Sequence, residues 1–356
     1  MPDIGKKQVD ELLVLAVQKG ASDVHLSPGY YPTVRIDGLL VPLTDQKVIT
    51  AQGAQQMAVS LLNPEQKEHF EKTHEIDFGY QLTEDVRFRV NEYVARDNIS
   101  LVFRYIPSTV KSIDELLLPP QIKLFSKLSQ GFVLVAGPNG HGKSTTMASI
   151  IDLINKERAE KIITIEDPVE YIFTPERSII DQREVGSDTF SFANALRASF
   201  RENVNVIMVG ELRDLDTISA AVTAAETGHL VFGSIHTNNA PQTIERIIDS
   251  FPPNQQHQIV NQLANTLSGV ISQRLIPGTR GGVVPAIELM IANTAVRNII
   301  RENKIEQLSL AISTAADAGM ISMNQSLAGL IQKQLISREQ AEFFSPNIQE
   351  LEALLR

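Results

Sequence analysis

Cysteine is absent from the 356-residue chain. That excludes a disulfide framework, a thiolate metal site and a cysteine nucleophile, and it suits a reducing compartment. Long hydrophobic runs are missing too. The longest, such as 132–136 and 206–209, are strand-sized and far below the ~20 residues a membrane-spanning helix needs. Residues 1–18 carry Asp3, Asp10 and Glu11 inside their apolar pattern, so they do not read as a signal peptide. Direct membrane insertion is not expected; the chain is expected in the cytoplasm, reaching a membrane only through a partner. A basic surplus is also lacking. Lys+Arg total 32 against 42 Asp+Glu, a formal net charge of −10, which argues against sequence-independent nucleic-acid binding. No internal repeat is found. Hydrophobic residues at 43% and charged residues at 21% are ordinary for a globular chain, and this length predicts two domains at roughly 150 residues each.

Residues 1–107 read as a small α+β domain. Val9, Leu12, Leu13, Ala16 and Val17 recur at helical spacing, and Gly20 supplies the stop. Short strands follow at 23–27, 33–36 and 39–43, the last two joined by an Asp37-Gly38 turn. A second helix runs over 51–62. From 86 to 106 the period becomes two: Val86, Phe88 and Val90 share one face, Arg87 and Arg89 the other. A polar turn at Arg96-Asp97-Asn98 leads into a second strand with Ile99, Leu101, Phe103 and Arg104. Residues 108–120, next to Pro107 and ending in Pro119 and Pro120, read as a linker. From 121 to 356, apolar runs at 132–136, 162–165, 206–209 and 230–235 alternate with helical segments, which predicts a mostly parallel sheet with helices on both faces. Beyond about residue 253 the pattern reads as largely helical, with Ile259, Leu263, Leu267, Val270 and Ile271 on one stripe.

Residues 137–144, Gly137, Pro138, Asn139, Gly140, His141, Gly142, Lys143 and Ser144, fit G-x-x-x-x-G-K-[ST], and Thr145 follows. The motif sits between a predicted strand and a predicted helix, the context it requires. Glycines let backbone amides close around phosphate oxygens, and the helix N-terminus adds positive potential. ATP is the expected ligand. Lys143 is expected to reach its β- and γ-phosphates, and the Ser144 hydroxyl to bind Mg²⁺. His141 is the unusual loop residue and is expected to point outward.

A hydrolysing site also needs one carboxylate for the metal shell and another to orient or deprotonate water. Glu166 and Glu211 each close a predicted strand, where ligands of open α/β sheets bind, so both are candidates, with Glu211 also a metal ligand beside Ser144. The alternative is a pair of strand-end carboxylates, Asp167-Pro168 making a turn. His229 and His236 bracket the strand 230–235. Seven residues apart, they face opposite sides, which argues against a shared metal site. His236 either senses the γ-phosphate or is a structural histidine. Arg197 and Arg201 share a helix face, and Arg87, Arg89 and Arg104 lie on the hairpin. Such arginines neutralise a γ-phosphoryl or are solvated surface residues.

The segments GPNGHGKSTT, ITIEDPVEY, VGELRD and AAETGHLVFGSIHTNNA, in that order, resemble the ATPases of type IV pili and type II secretion. ASDVHLS near the start and AVRNIIRE at 295–302 narrow the resemblance to the pilus retraction ATPases. It spans about residues 8–340. It implies a RecA-like P-loop ATPase domain preceded by a smaller α+β, PAS-like N-terminal domain, assembled as a homohexamer that docks on an inner-membrane pilus platform protein. It makes 137–145 the Walker A loop, Glu166 part of an acidic box, Glu211 the Walker B glutamate, and His229 with His236 a histidine box. Arg197, Arg201 and the hairpin arginines become phosphate contacts, all nine of these side chains then serving catalysis. Residues 295–299 match a motif the family needs for retraction but not for hydrolysis. Asn139 and His141 depart from the family's usual Thr and Ser, Val204-Asn205 from an acidic run, and Ser234-Ile235 from Thr-Leu. Rival readings are an accessory retraction ATPase, a pilus or type II secretion assembly ATPase, a RecA-like nucleic-acid translocase, and a nucleotide-switched regulator.

Overall fold

The structure is a computed structural model describing residues 4–36, 38–83, 86–106 and 109–356. Asp37 of the expected turn, and Pro107 and Ser108 at the expected domain boundary, lie outside the described residues. Two compact units form, Met1–Thr109 with Pro168–Ile172, and Val110–Asp167 with Phe173–Arg356. The segment 168–172 thus packs with the first unit, although the sequence places it deep in the second. Residues 110–120, expected as a linker, belong to the second unit and bury Ile113 and Leu118 there.

The first unit contains α1 (Ile4–Gln18), β1 (Asp23–Leu26), β2 (Thr33–Ile36), β3 (Leu39–Pro42), α2 (Ala51–Leu61), α3 (Pro64–Thr73), β4 (Glu75–Thr83), β5 (Val86–Ala95) and β6 (Asn98–Ile106). Its six strands pair antiparallel in the order β3-β2-β1-β6-β5-β4. Val9, Leu13 and Ala16 of α1 and Ala54, Met57 and Ala58 of α2 are buried in one core with Phe88, Val90, Leu101 and Phe103, as amphipathic periodicity requires. The β5–β6 turn places Arg96 and Asp97 at φ 50° and 61°, the paired left-handed geometry that suits the strand twist. In that register Arg89 stands opposite Arg104, and Val90 opposite Phe103.

Helix α3 has little apolar signal, whereas strand β4 carries an alternation of Ile76, Phe78, Tyr80 and Leu82 that the sequence reading above does not include. Helix α3 buries only Phe70 and is fixed at its start by a reciprocal capping box between Asn63 and Gln66. The alternation of β5 carries Glu92 into the core beside Val90. Its exposure is 0%, and neither carboxyl oxygen has a hydrogen-bond partner among the described residues. Burial raises its pKa to about 8. An unfolded glutamate titrates near 4.3, so stability is fully present below that pH and is lost as pH rises through about 8. The melting temperature of the full chain is therefore expected to fall between pH 5.5 and 8.5. Glu92→Met, which keeps the volume without the charge, should melt roughly 5 °C higher at pH 8.5 and lose most of that slope. An unchanged slope would put its source elsewhere.

The second unit contains α4 (Lys123–Ser126), β7 (Gly131–Ala136), α5 (Lys143–Glu157), β8 (Lys161–Glu166), β9 (Ile179–Glu184), α6 (Phe192–Ser199), β10 (Val206–Val209), α7 (Leu215–Glu226), β11 (Leu230–Ile235), α8 (Ala240–Asp249), α9 (Pro253–Thr266), β12 (Leu267–Pro277), β13 (Val283–Ile291), α10 (Thr294–Arg301), α11 (Leu308–Thr314), α12 (Met323–Gln332), α13 (Arg338–Phe344) and α14 (Ile348–Leu354). The sheet order is β13-β12-β7-β11-β10-β8-β9. All neighbours are parallel except β12 with β13. Strands β7, β10 and β11 are buried at every position, as befits a parallel sheet covered on both faces.

The expected helical tail is corrected here. The stripe through Ile259 and Leu263 is helix α9, but Leu267, Val270 and Ile271 belong to β12, buried beside β7. Leu267, Val270 and Ile271 fall three and four residues apart in a strand buried on both faces, a spacing that imitates one face of a helix. No helix among the described residues is long and apolar enough to cross a membrane.

Candidate nucleotide site

Parallel pairing brings the carboxyl ends of β7, β11, β10 and β8 to one edge. Ala136 lies beside Ile235, Val209 beside Gly233, and Ile165 beside Val209. The loop 137–142 leaves β7 at that edge and enters α5. Helices α6, α7 and α8 open with side-chain caps from Ser191, Asp214 and Asn239. Helix α5 opens on Gly142, at φ 80°, with no side-chain cap. No side-chain cap therefore competes with an anion at this helix start. Asn139 and Gly140 are exposed at the loop tip, Gly137 is buried, and Pro138, His141, Ser144 and Thr145 are half-buried.

Lys143 is buried. Its Nζ donates to the carbonyls of Gly137 at 2.9 Å and Pro138 at 3.0 Å, and meets His236 Nδ1 at 3.2 Å. A lysine ammonium only donates, so His236 Nδ1 accepts and the ring proton resides on Nε2. That nitrogen stands 3.0 Å from Glu211 Oε1, which also takes Arg213 Nε at 2.8 Å. Burial pushes the Glu211 pKa upward, but the hydrogen bonds from Arg213 and His236 and the charge of Arg213 outweigh it and hold it below the ordinary glutamate range. Glu211 is therefore a carboxylate with one oxygen committed and the other without a hydrogen bond among the described residues. The cap that Asp214 places on α7 fixes the short link carrying Glu211.

The other expected residues fall out differently. Glu166 is buried, and its Oε1 accepts from Thr164 Oγ1 at 2.7 Å and Gln182 Nε2 at 3.3 Å. His229 lies at the opposite end of β11, where its Nδ1 is 2.9 Å from the Ala224 carbonyl at the end of α7 and its ring packs on Phe200. The two histidines are thus separated by the length of β11, roughly 20 Å. Arg197 is exposed, 4.0 Å from Asp216. Arg201 is exposed beyond the end of α6. Arg87, Arg89 and Arg104 belong to the first unit. There Arg87 donates to Gln81 at 3.2 Å, Arg104 to Asp23 at 3.0 Å, and Arg89 pairs with Asp77 and, at 3.8 Å, with Glu170.

His141 does not point outward as expected. Its Nδ1 accepts the Leu275 amide at 2.9 Å, because β12 runs alongside the loop, and burial followed by the charges of Arg274 and Lys143 lowers its pKa. Two contributors escaped the sequence reading. Arg213 lies inside VGELRD, where its signal was available. Gln273, 3% exposed and bonded to the loop, lies in the polar stretch Ser272-Gln273-Arg274 and belongs to no motif.

Among the described residues no group of three or more His, Asp or Glu could hold a metal ion alone. The Ser144 hydroxyl makes no hydrogen bond among them either. A hard oxygen donor beside one carboxylate fits Mg²⁺, which takes one or two protein ligands and completes its shell with phosphate and water.

The family model described as "Type II/IV secretion system protein" matches residues 3–283. The type IV pilus retraction ATPase PilT of Pseudomonas aeruginosa is 42% identical over 94% of this chain and 96% of its own. The type IV pilus ATPase PilU of the same organism is 33% identical over 98% of this chain and 91% of its own. The solved structure of the pilus retraction motor PilT with bound ADP matches with a TM-score of 0.89 and 45% identity, covering 97% of this chain and 99% of that one. The chain belongs to the type II/IV secretion system protein family, with the pilus retraction ATPases. As a secretion ATPase of that kind, it is an enzyme that uses a nucleotide.

Proposed function

We propose that this protein hydrolyses Mg-ATP as a homohexameric ring and that the work drives type IV pilus retraction, by pilin depolymerisation, from the cytoplasmic side of the inner membrane. The observation that carries the reading is the chain Lys143–His236–Glu211 beside an uncapped helix N-terminus. The identity of 42% with PilT against 33% with PilU supports the retraction motor over the accessory ATPase.

In this reading, amides of 137–145 receive the phosphates and Lys143 exchanges the Gly137 and Pro138 carbonyls for phosphate oxygens, trading neutral acceptors for charged ones. Mg²⁺, when bound, neutralises charge on the β- and γ-phosphates, and Ser144 and Glu211 would hold it. Glu211 orients the attacking water with its uncommitted oxygen. His236 joins Lys143 to that carboxylate, so the state of the γ-phosphate reaches Glu211 through one imidazole. Glu166 supports the strand end, and His229 the far end of β11. Arg197, Arg201 and the hairpin arginines of a neighbouring copy supply positive charge as the phosphoryl departs. The ring docks on an inner-membrane platform protein and needs neither nucleic acid nor insertion into the bilayer.

A strain lacking the gene is expected to carry excess surface pili and to lose twitching motility, restored by the wild-type chain and not by Lys143→Ala. Unchanged pilus number and motility in the deletion strain would defeat the proposal, and ATP turnover stimulated by DNA would favour the translocase instead.

A further inference from the structure

We propose that Gln273 is a positioning residue for the phosphate loop, its buried amide clamping the loop from β12 into the shape that receives phosphates before any nucleotide arrives. The inference rests on the reading of 137–145 as the nucleotide site.

Strand β12 pairs with β7 up to Ser272 opposite Ala136, which sets residue 273 beside the point where the loop departs. The side chain is 3% exposed, and a buried amide must find partners for both its ends. Gln273 finds one on the loop and the other in the first turn of α5. Its Nε2 donates to the His141 carbonyl at 2.8 Å, and its Oε1 accepts the Thr146 hydroxyl at 2.6 Å. The loop glycines press on the same residue. A Cβ on Gly137 would stand 2.6 Å from the Gln273 carbonyl oxygen, and one on Gly142 2.8 Å from Nε2. Two residues on, the Leu275 amide donates to His141 Nδ1 at 2.9 Å. The entry of the loop thus lies close against one stretch of β12, and the loop's middle and the first turn of α5 are hydrogen-bonded to that stretch.

A glycine-rich loop has more conformations to lose than any other segment. If only a fraction of molecules holds the competent shape, apparent affinity falls by that fraction. The phosphates are gripped in the ground state and in the transition state alike, so loss of the clamp raises KM while leaving kcat nearly unchanged. A defect in general folding would instead reduce the active fraction and leave KM alone.

The test uses the full chain with Mg-ATP for kinetics and a non-hydrolysable ATP analogue for equilibrium binding. Gln273→Glu keeps the shape and the acceptor for Thr146 but sets an oxygen against the His141 carbonyl, and Thr146→Val removes the other bond at constant volume. Gln273→Ala and Gln273→Glu are expected to raise KM and the analogue Kd about tenfold, and Thr146→Val about threefold, with kcat within a factor of about three. If Gln273→Ala fails to fold, the other two variants carry the test. KM and Kd within twofold of wild type in both, or a fall in kcat with Kd unchanged, would overturn the clamp while leaving the nucleotide site standing. A wild-type chain that does not bind the analogue would overturn both.

Discussion

Lys143→Ala is expected to reduce ATP turnover on the order of 10³-fold. The ammonium is buried within the loop and satisfied by two loop carbonyls and His236 Nδ1. In such a site a charge acts through a lower effective dielectric than water, so its attraction to a phosphate is correspondingly large. The alanine variant loses that attraction and leaves the carbonyls of Gly137 and Pro138 without their donor. Lys143→Arg should not rescue activity, since a planar fork on a longer stem does not match a point charge fitted among three acceptors. Steady-state phosphate release, with a thermal melt confirming that the variant folds, decides the matter. Retention of a tenth or more of wild-type turnover would remove Lys143 from the phosphate.

Glu211→Gln is expected to lower kcat by about 10² to 10⁴-fold, the range for losing a group that takes or orients a proton, with the analogue Kd held within about threefold. The amide preserves the shape, and its oxygen still accepts from His236 Nε2 and Arg213 Nε, which now stand 3.0 and 2.8 Å from Oε1. The water-facing oxygen becomes an amide NH₂, so the negative charge and the acceptor for the water's proton are lost together. Binding and turnover should therefore separate, leaving a variant that fills with ATP and does not cleave it. Glu166→Gln is the informative companion. Glu166 is buried against Thr164 and Gln182, so a smaller loss is expected there. A larger loss from Glu166→Gln than from Glu211→Gln would transfer the water to Glu166.

Much of this site could be read without coordinates because its chemistry is local in sequence. Gly137 to Ser144 lie within one strand–loop–helix unit, and the glycines, the lysine and the hydroxyl are each demanded by the phosphate they serve. The two glutamates were legible because strand ends in a parallel sheet share an edge. The β5–β6 hairpin was legible because period two places Phe88 and Val90 inward and Arg87 and Arg89 outward. Strand β12 was not, since it is buried on both sides and its Leu267, Val270 and Ile271 fall at the three- and four-residue spacing of a helix. Helix α3 was not, since its capping box rather than an apolar stripe defines it.

The sequence alone determined the ligand class, the parallel architecture around it and the family resemblance, because each rests on residues adjacent in the chain or on a repeating pattern. Tertiary structure decided which residues meet. It drew His236 to both Lys143 and Glu211 while leaving His229 at the far end of the same strand, and it brought Gln273 and Leu275 of β12 against a loop more than a hundred residues earlier. Such contacts depend on the order in which strands pair across the sheet, and side chains from distant segments become neighbours only once that order is set.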